Sequence, residues 1–212
     1  MNDICEKIRR VIPEFPDCKY PWDVLNEMKN SPKVILPRRT VEGFNNSEVY
    51  ADPDVEIQPY CLFTGLVILD KGVRIGPYSL LRGPIYIGRN SLVGPHAEII
   101  RCLIMDNTSL AHKNLMGDSI FGDNINFGGM SVCCNMPVGR NMIKRKFRGE
   151  ESTCEEKYGS FVGNNSSLGC LTIIMPGCFI SENSKITGQC IVYGNGKVKN
   201  FVNGVKEIKV CQ

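Results

Sequence analysis

From Ala51 onward an apolar or small residue recurs at every sixth position: Ala51, Ile57, Phe63, Leu69, Ile75, Leu81, Ile87, Val93, Ile99, Met105 and Ala111. Four places after each stands a second one, from Val55, Cys61, Val67, Val73 and Ser79 through Ile85, Ser91 and Ala97 to Leu103, Ser109 and Leu115. A period of six fits neither the 3.6 of an amphipathic helix nor the simple alternation of a free strand. It is the signature of a parallel β-helix of hexapeptides, each unit one short strand and a turn. One unit cannot bury its apolar edge alone, so coils stack and put like residue above like residue in an inward ladder. The interior is narrow, which favours Ile, Val, Ser, Cys and Ala there over large rings. Gly76, Gly88 and Gly94 directly follow register positions, where turns need positive φ or close backbone approach.

After Leu115 the pattern predicts a four-residue break, Gly117 to Ile120, and resumes at Phe121 and Phe127 with Ile125 and Ser131 as the second ladder. An excursion of about 136–160 follows, and hexads return at Val162, Leu168, Ile174 and Ile180, with a weaker unit through Ile186 and Cys190. The excursion holds the basic run Lys144-Arg145-Lys146-Phe147-Arg148 and then Glu150-Glu151. Loops thrown out of solenoids cluster on the binding face. Ahead of the repeats, ICEKIRRVI and PWDVLNEMKN predict short helices punctuated by Pro13, Pro16, Pro21 and Pro32. The expected organisation is a helical cap over 1–45 that covers the open end of the coil, an all-β hexapeptide coil over 46–194, and a terminal strand or tail over 195–212.

Composition narrows the class. The 212 residues carry 25 basic and 22 acidic side chains, a net charge of +3, and 42% are hydrophobic, which excludes general disorder. No apolar run approaches the ~20 residues of a membrane-spanning helix, so a soluble protein is expected. The eleven cysteines are odd in number and contain no CxxC, which argues against a disulfide framework, a zinc site or a redox motif. The start, MNDICEKIRRVIPEF, lacks the features of a signal peptide, so a cytoplasmic protein with buried thiols used as small hydrophobes is expected. Interspersed charge leaves no nucleic-acid footprint beyond the local basic run.

Chemistry near neutral pH rests on two histidines. His96, in VGPHAE, is an outward turn residue. His112 lies beside the register break and the asparagine-bearing stretch FGDNINFGGM, a better place for a general base. No GxSxG elbow and no GxxxxGK[ST] phosphate loop is present, so covalent catalysis and triphosphate binding lack support.

The block His112-Lys113-Asn114-Leu115-Met116-Gly117-Asp118-Ser119, then Asn124-Ile125-Asn126-Phe127-Gly128-Gly129 and Cys134-Asn135, resembles the acetyltransferase domain of the bifunctional glucosamine-1-phosphate acetyltransferase / N-acetylglucosamine-1-phosphate uridylyltransferase family, above all its archaeal-type relatives. The resemblance covers roughly residues 51 to 190, and PWDVL is similar to the segment that joins the family's nucleotidyltransferase domain to its β-helix. The glycine-rich G-x-G-T-R-M loop of that other domain is absent. The resemblance implies a left-handed coil, a homotrimer with each active site between two subunits, acetyl-CoA as co-substrate and an amino-sugar phosphate as acceptor, with no metal required. It makes His112 the base that takes the amine proton and sets Asn126 and Asn135 beside the sugar. Arg82 would hold the phosphate, and Gly129, Cys170 and Gly188 would contact acetyl-CoA.

Departures from the family pattern keep the acceptor open. Ile100 stands where the family has a lysine, although Arg101 beside it can supply the charge, and Leu115 replaces a tyrosine. Either the acceptor differs from glucosamine 1-phosphate, or the run Lys144 to Arg148 supplies phosphate contacts, or the site has decayed. Three functions remain: an N-acetyltransferase acting on a simple amino-sugar phosphate, one acting on a nucleotide-linked amino sugar, and a non-catalytic β-helical scaffold or regulatory subunit.

Overall fold

The computed structural model describes residues 2–30, 33–41, 47–139, 141–147, 150–153, 156–194, 197–200 and 207–209. The hexads become strands two or three residues long on three faces of a parallel β-helix, here called faces A, B and C in the order the chain visits them from Val67. Face B has seven parallel strands, from Glu56–Ile57 to Lys185–Ile186, so the coil makes about seven turns. Its lower rungs repeat at eighteen residues, as Arg74 pairs with Glu56 below and Leu92 above.

The register is less regular than the sequence suggests. After Ile99 the next inward residue is Ile104, then Leu110 and Met116, and after Met116 comes Phe121. Two turns are thus one residue short, and the pairings Leu103 with Tyr86 and Leu103 with Ile120 step by seventeen. Met105 and Ala111 are therefore not core-ladder residues, and the second ladder runs through Cys102, Thr108 and Asn114 where Leu103, Ser109 and Leu115 were expected. The expected break at Gly117–Ile120 is a single-residue deletion.

This second ladder also explains its own chemistry. Ser79 Oγ donates to the Gly94 carbonyl (3.0 Å), Ser91 to Met105 (2.8 Å), Thr108 to Gly122 (2.9 Å) and the Asn114 amide to Gly128 (2.9 Å). The thiols of Cys61, Cys102 and Cys178 lie against the Gly76, Met116 and Val192 carbonyls in the same way. These positions take a side chain short enough for the narrow interior that also carries a donor for the next coil's turn, while Val55, Val67, Val73, Ile85, Ala97 and Ile125 fill the others with carbon alone. The cysteines there are weak donors as well as small hydrophobes.

The N-terminal helices lie along the flank of the coil, not over its end as expected. In α1 (Asn2–Arg9), Ile4 and Ile8 fall on one stripe, which with Val11, Ile12 and, from α2 (Pro21–Glu27), Val24 and Leu25 buries against outward residues of face A: Ile68, Tyr86, Leu103, Met105 and Ile120. Two cations pin α1 to the A–B corner. Arg10 bonds both oxygens of Asp106 (2.8 and 2.7 Å) and the Tyr86 hydroxyl, and Lys7 bonds Asp123. The start of the coil is instead covered by Arg38–Arg39, antiparallel to Ser47–Ala51, with Arg39 donating to the Val55 and Pro53 carbonyls.

The excursion is an antiparallel hairpin, Lys144–Phe147 against Glu150–Thr153. Its roots, Ile143 and Tyr158, are buried in the cluster under the helices, where Trp22 meets Tyr158 edge-on at 6.1 Å. The chain closes with Cys190–Tyr193, Lys197–Asn200 and Glu207–Lys209 as an antiparallel meander. The three faces therefore differ outside. A is covered by helices; B presents mainly polar residues, Glu56, Arg74, Ser109, Asn126, Ser167 and Lys185; C presents Leu62, Leu80, Leu115, Val132, Ile173 and Ile191 around one carboxylate, Glu98.

Candidate functional site

At the B–C corner every coil turns through a residue of positive φ: Tyr60, Tyr78, His96, Lys113, Met130, Leu171 and Gln189, between 50° and 64°. The residues just before them form a second column: Pro59, Pro77, Pro95, His112, Gly129, Cys170 and Gly188. Backbone bonds lock adjacent rungs, Met130 N–H to the His112 carbonyl (2.8 Å), Leu171 to Gly129 (3.0 Å) and Gln189 to Cys170 (2.8 Å). The four residues that the resemblance assigns to base and acetyl-CoA are thus consecutive rungs of one column. His112 is exposed, and a Cβ placed on Gly129 would lie 3.7 Å from its Cβ. With no side chain at Gly129 and Gly188 and a short exposed one at Cys170, an open strip runs from His112 for about 14 Å, three rungs at the ~4.8 Å strand spacing.

The second predicted cluster sits at the C–A corner, where the two short turns fall. Each short turn puts one residue in the left-handed region, Arg101 (φ 47°) and Asp118 (φ 45°). Stacking the two turns brings Arg101 onto Asp118 in a two-point pair, Nε to Oδ1 at 2.5 Å and Nη2 to Oδ2 at 2.6 Å. Asn135 donates to the same Oδ2 at 2.5 Å, over Gly117, where a Cβ would lie 2.8 Å from the Asn135 amide. Arg82 makes a half-exposed pair with Glu98 at 3.2 Å. Arg82, expected to hold the phosphate, and Arg101, expected to supply the charge of the missing lysine, thus already face carboxylates. The Arg82 pair is of the solvent-screened kind that exchanges partners at little cost. The Arg101 pair is held by geometry.

Within one chain the two clusters do not meet, because the width of face C separates them. Asn126 stands on face B between Ser109 and Ser167, three positions short of the His112 corner and one rung above. Asn135 belongs with Asp118, a residue to which the sequence reading gave no role, although the Gly117-Asp118 pair was its visible signal. The side chains of Lys144 to Arg148 lie outside the described residues. His96 is not simply solvated: its ring stacks on Tyr78 at 5.0 Å and 5°. Burial pushes the Cys102 thiol up to about 12 and the Cys133 thiol well above its ordinary range, so these interior thiols are unreactive. Among the described residues no group of three or more His, Cys, Asp or Glu side chains is placed to hold a metal ion, and no helix is long and apolar enough to cross a membrane.

Fold and column together define a hexapeptide-repeat β-helix with a histidine heading an open, glycine-lined strip. The sequence is similar to that of the bifunctional protein GlmU of Methanococcus maripaludis, 28% identical over 116 residues, or 55% of this chain and 28% of the relative. It is also similar to the protein of that name from Methanococcus vannielii, 30% identical over 106 residues, 50% of this chain and 26% of the relative. The chain therefore spans about a quarter of the length of the curated relatives it matches. No family model matches. A hexapeptide transferase family protein from Anaplasma phagocytophilum aligns in structure over 80% of this chain and 83% of its own, at 13% identity and a TM-score of 0.40.

Proposed function

We propose that the protein is an acetyl-CoA-dependent N-acetyltransferase whose acceptor is an amino sugar carrying phosphate at its anomeric carbon. The observation that carries this is the single column of His112, Gly129, Cys170 and Gly188. A strip without side chains lets an extended pantetheine chain lie against the backbone, with its thioester end beside an exposed imidazole. The amine nitrogen attacks the thioester carbonyl carbon; the N–C bond forms, the C–S bond breaks, and the amine proton passes to His112 and from there to the departing thiolate. An ammonium has no lone pair, so acylation needs a base of this kind near neutral pH.

The acceptor pocket would be completed by a second copy of the chain. His112 and the Arg82–Arg101–Asp118–Asn135 cluster flank face C on opposite edges, and face C is apolar and uncovered among the described residues. Three copies with face C turned toward a threefold axis would bring one edge of each copy beside the opposite edge of the next. A homotrimer thus buries the apolar face and joins base to phosphate-binding group in one step.

The test is thiol release from acetyl-CoA with glucosamine 1-phosphate, galactosamine 1-phosphate and their nucleoside-diphosphate-linked forms. His112→Ala is expected to lower turnover by about 10²–10⁴-fold without loss of stability, since the side chain is exposed. Turnover unchanged in that variant would overturn the mechanism. A non-catalytic scaffold is the second reading, favoured by the carboxylates already facing both arginines. Absence of acetyl-CoA binding by calorimetry would favour it.

A further inference from the structure

The B–C corner continues below His112 as a ladder of rings. Tyr60 stacks on Tyr78 at 4.9 Å and 16°, and Tyr78 on His96 at 5.0 Å and 5°. Tyr60 and Tyr78 are 65% and 54% exposed, so the rings are not held outward by packing. Nor does the backbone ask for them. All three occupy positive φ, a conformation that asparagine adopts more easily than bulky residues. At the A–B corner the equivalent positions are Gly72 and then asparagines on five rungs: Asn90, Asn107, Asn124, Asn165 and Asn183. The corner that bears His112 has aromatic rings where the other has the residue the turn prefers.

Centroids 5 Å apart between nearly parallel rings mean an offset stack, because contacting carbon atoms approach to about 3.5–4.0 Å. Part of each ring face is therefore left uncovered. The last ring, Tyr60, lines a cleft of about 570 Å³ shared with Arg39, Gln58 and Pro59, so planar material can be added to the end of the stack. Above His96, on the rung of His112, the same column carries the exposed cation Lys113. Rings, with a cation and the base side by side on the next rung, offer contacts to a nucleobase, a phosphate and a sugar amine.

We infer that the ladder Tyr60–Tyr78–His96 is a nucleobase-stacking surface and that the acceptor is a nucleoside-diphosphate-linked amino sugar. Its base lies on the rings, its phosphates lie near Lys113 and its amine lies at His112. The inference rests on the acyl transfer proposed above, and it explains why Leu115 can replace a polar sugar contact, since stacking supplies the lost hold on the acceptor. The other planar group within reach is the adenine of coenzyme A, and the experiment separates the two.

UDP, dTDP, GDP and ADP are titrated into the full-length protein without acyl donor, in wild type and in the double variant Tyr60→Asn/Tyr78→Asn. The substitution gives both turns the residue found on five rungs of the A–B corner, so the thermal midpoint is expected to be unchanged or raised. At least one nucleotide should bind the wild type, and binding should weaken by about 5–100-fold in the variant, the range of losing a base–aromatic stack. The variant should also raise KM for the matching nucleotide-linked amino sugar while leaving KM for acetyl-CoA unchanged. No nucleotide binding to the wild type, equal binding by both proteins, or a rise confined to the KM for acetyl-CoA would overturn the inference. Turnover of glucosamine 1-phosphate with no nucleotide bound would overturn it and leave the role of His112 standing; nucleotide binding without acetyl transfer to any amino sugar would support the stacking surface and overturn the proposed reaction instead.

Discussion

Asp118 holds two residues of the C–A corner at once, accepting both arms of the Arg101 fork and the Asn135 amide while only 6% exposed. Asp118→Asn keeps the shape and tolerates the positive φ, but it removes the charge that pairs the guanidinium. A loss of about 2 kcal/mol is expected from a charge-assisted pair at this depth, read as a shift in the urea midpoint at constant slope. An unchanged midpoint would mean that Arg101 is held by other contacts. The residue types at this corner are visible in the sequence, but the pairing is not: Arg101 and Asp118 meet only because each of two successive turns lost one residue. A count in sixes passes over that event, since Met105 and Ala111 are as acceptable to the pattern as Ile104 and Leu110.

The helical brace is the element most sensitive to pH. Burial alone would raise the Asp106 carboxyl, but the Arg10 guanidinium bonded to it outweighs burial and holds it below its ordinary 3.8; Lys7, which burial alone would lower, is raised above 10.5 by Asp123 and Asp3. A lowered carboxyl contributes stability that is present above its unfolded value and lost as pH falls through the folded one. A raised ammonium contributes stability that is present below its unfolded value and lost as pH rises through the folded one. Denaturant midpoints should therefore be level near neutrality, fall below about pH 4 and fall again above about pH 10.5. Asp106→Asn should lower the plateau by about 2 kcal/mol and flatten the acid limb. An acid limb of unchanged depth in the variant would locate its cause elsewhere. The amphipathic stripe of α1 is legible in the sequence. Its destination is not, because an apolar stripe states that it must be covered and leaves open whether the partner is the end of a coil or its side.

For the molecule as a whole, the decisive quantity is what covers face C. Leu115→Glu and Val132→Glu put carboxylates on its outward face without touching the interior, since both side chains point away from the inward ladder formed by Met116 and Cys133. Sedimentation is expected to change from a trimer to a monomer in the double variant, with the β spectrum retained and acetyl transfer lost, because base and phosphate cluster would no longer be joined. A trimer that persists would mean that copies meet on another face.

The six-residue period by itself determined the architecture. A stacked coil is the only way a chain with that spacing can bury one apolar side chain per hexad, and so the interior ladder and the small donors of the second ladder follow from local sequence. The column of His112, Gly129, Cys170 and Gly188 was only partly determined, since a shortened turn lies between His112 and Gly129 and the excursion lies between Gly129 and Cys170. Tertiary structure alone decided the rest. Where a turn shortens, which outward face the helices cover, and that Arg101, Asp118 and Asn135 come together are set by contacts between residues whose separation the period does not fix. The physical reason is that periodicity constrains what points inward, where packing leaves one solution, whereas outward positions are chosen by whatever comes to lie against them.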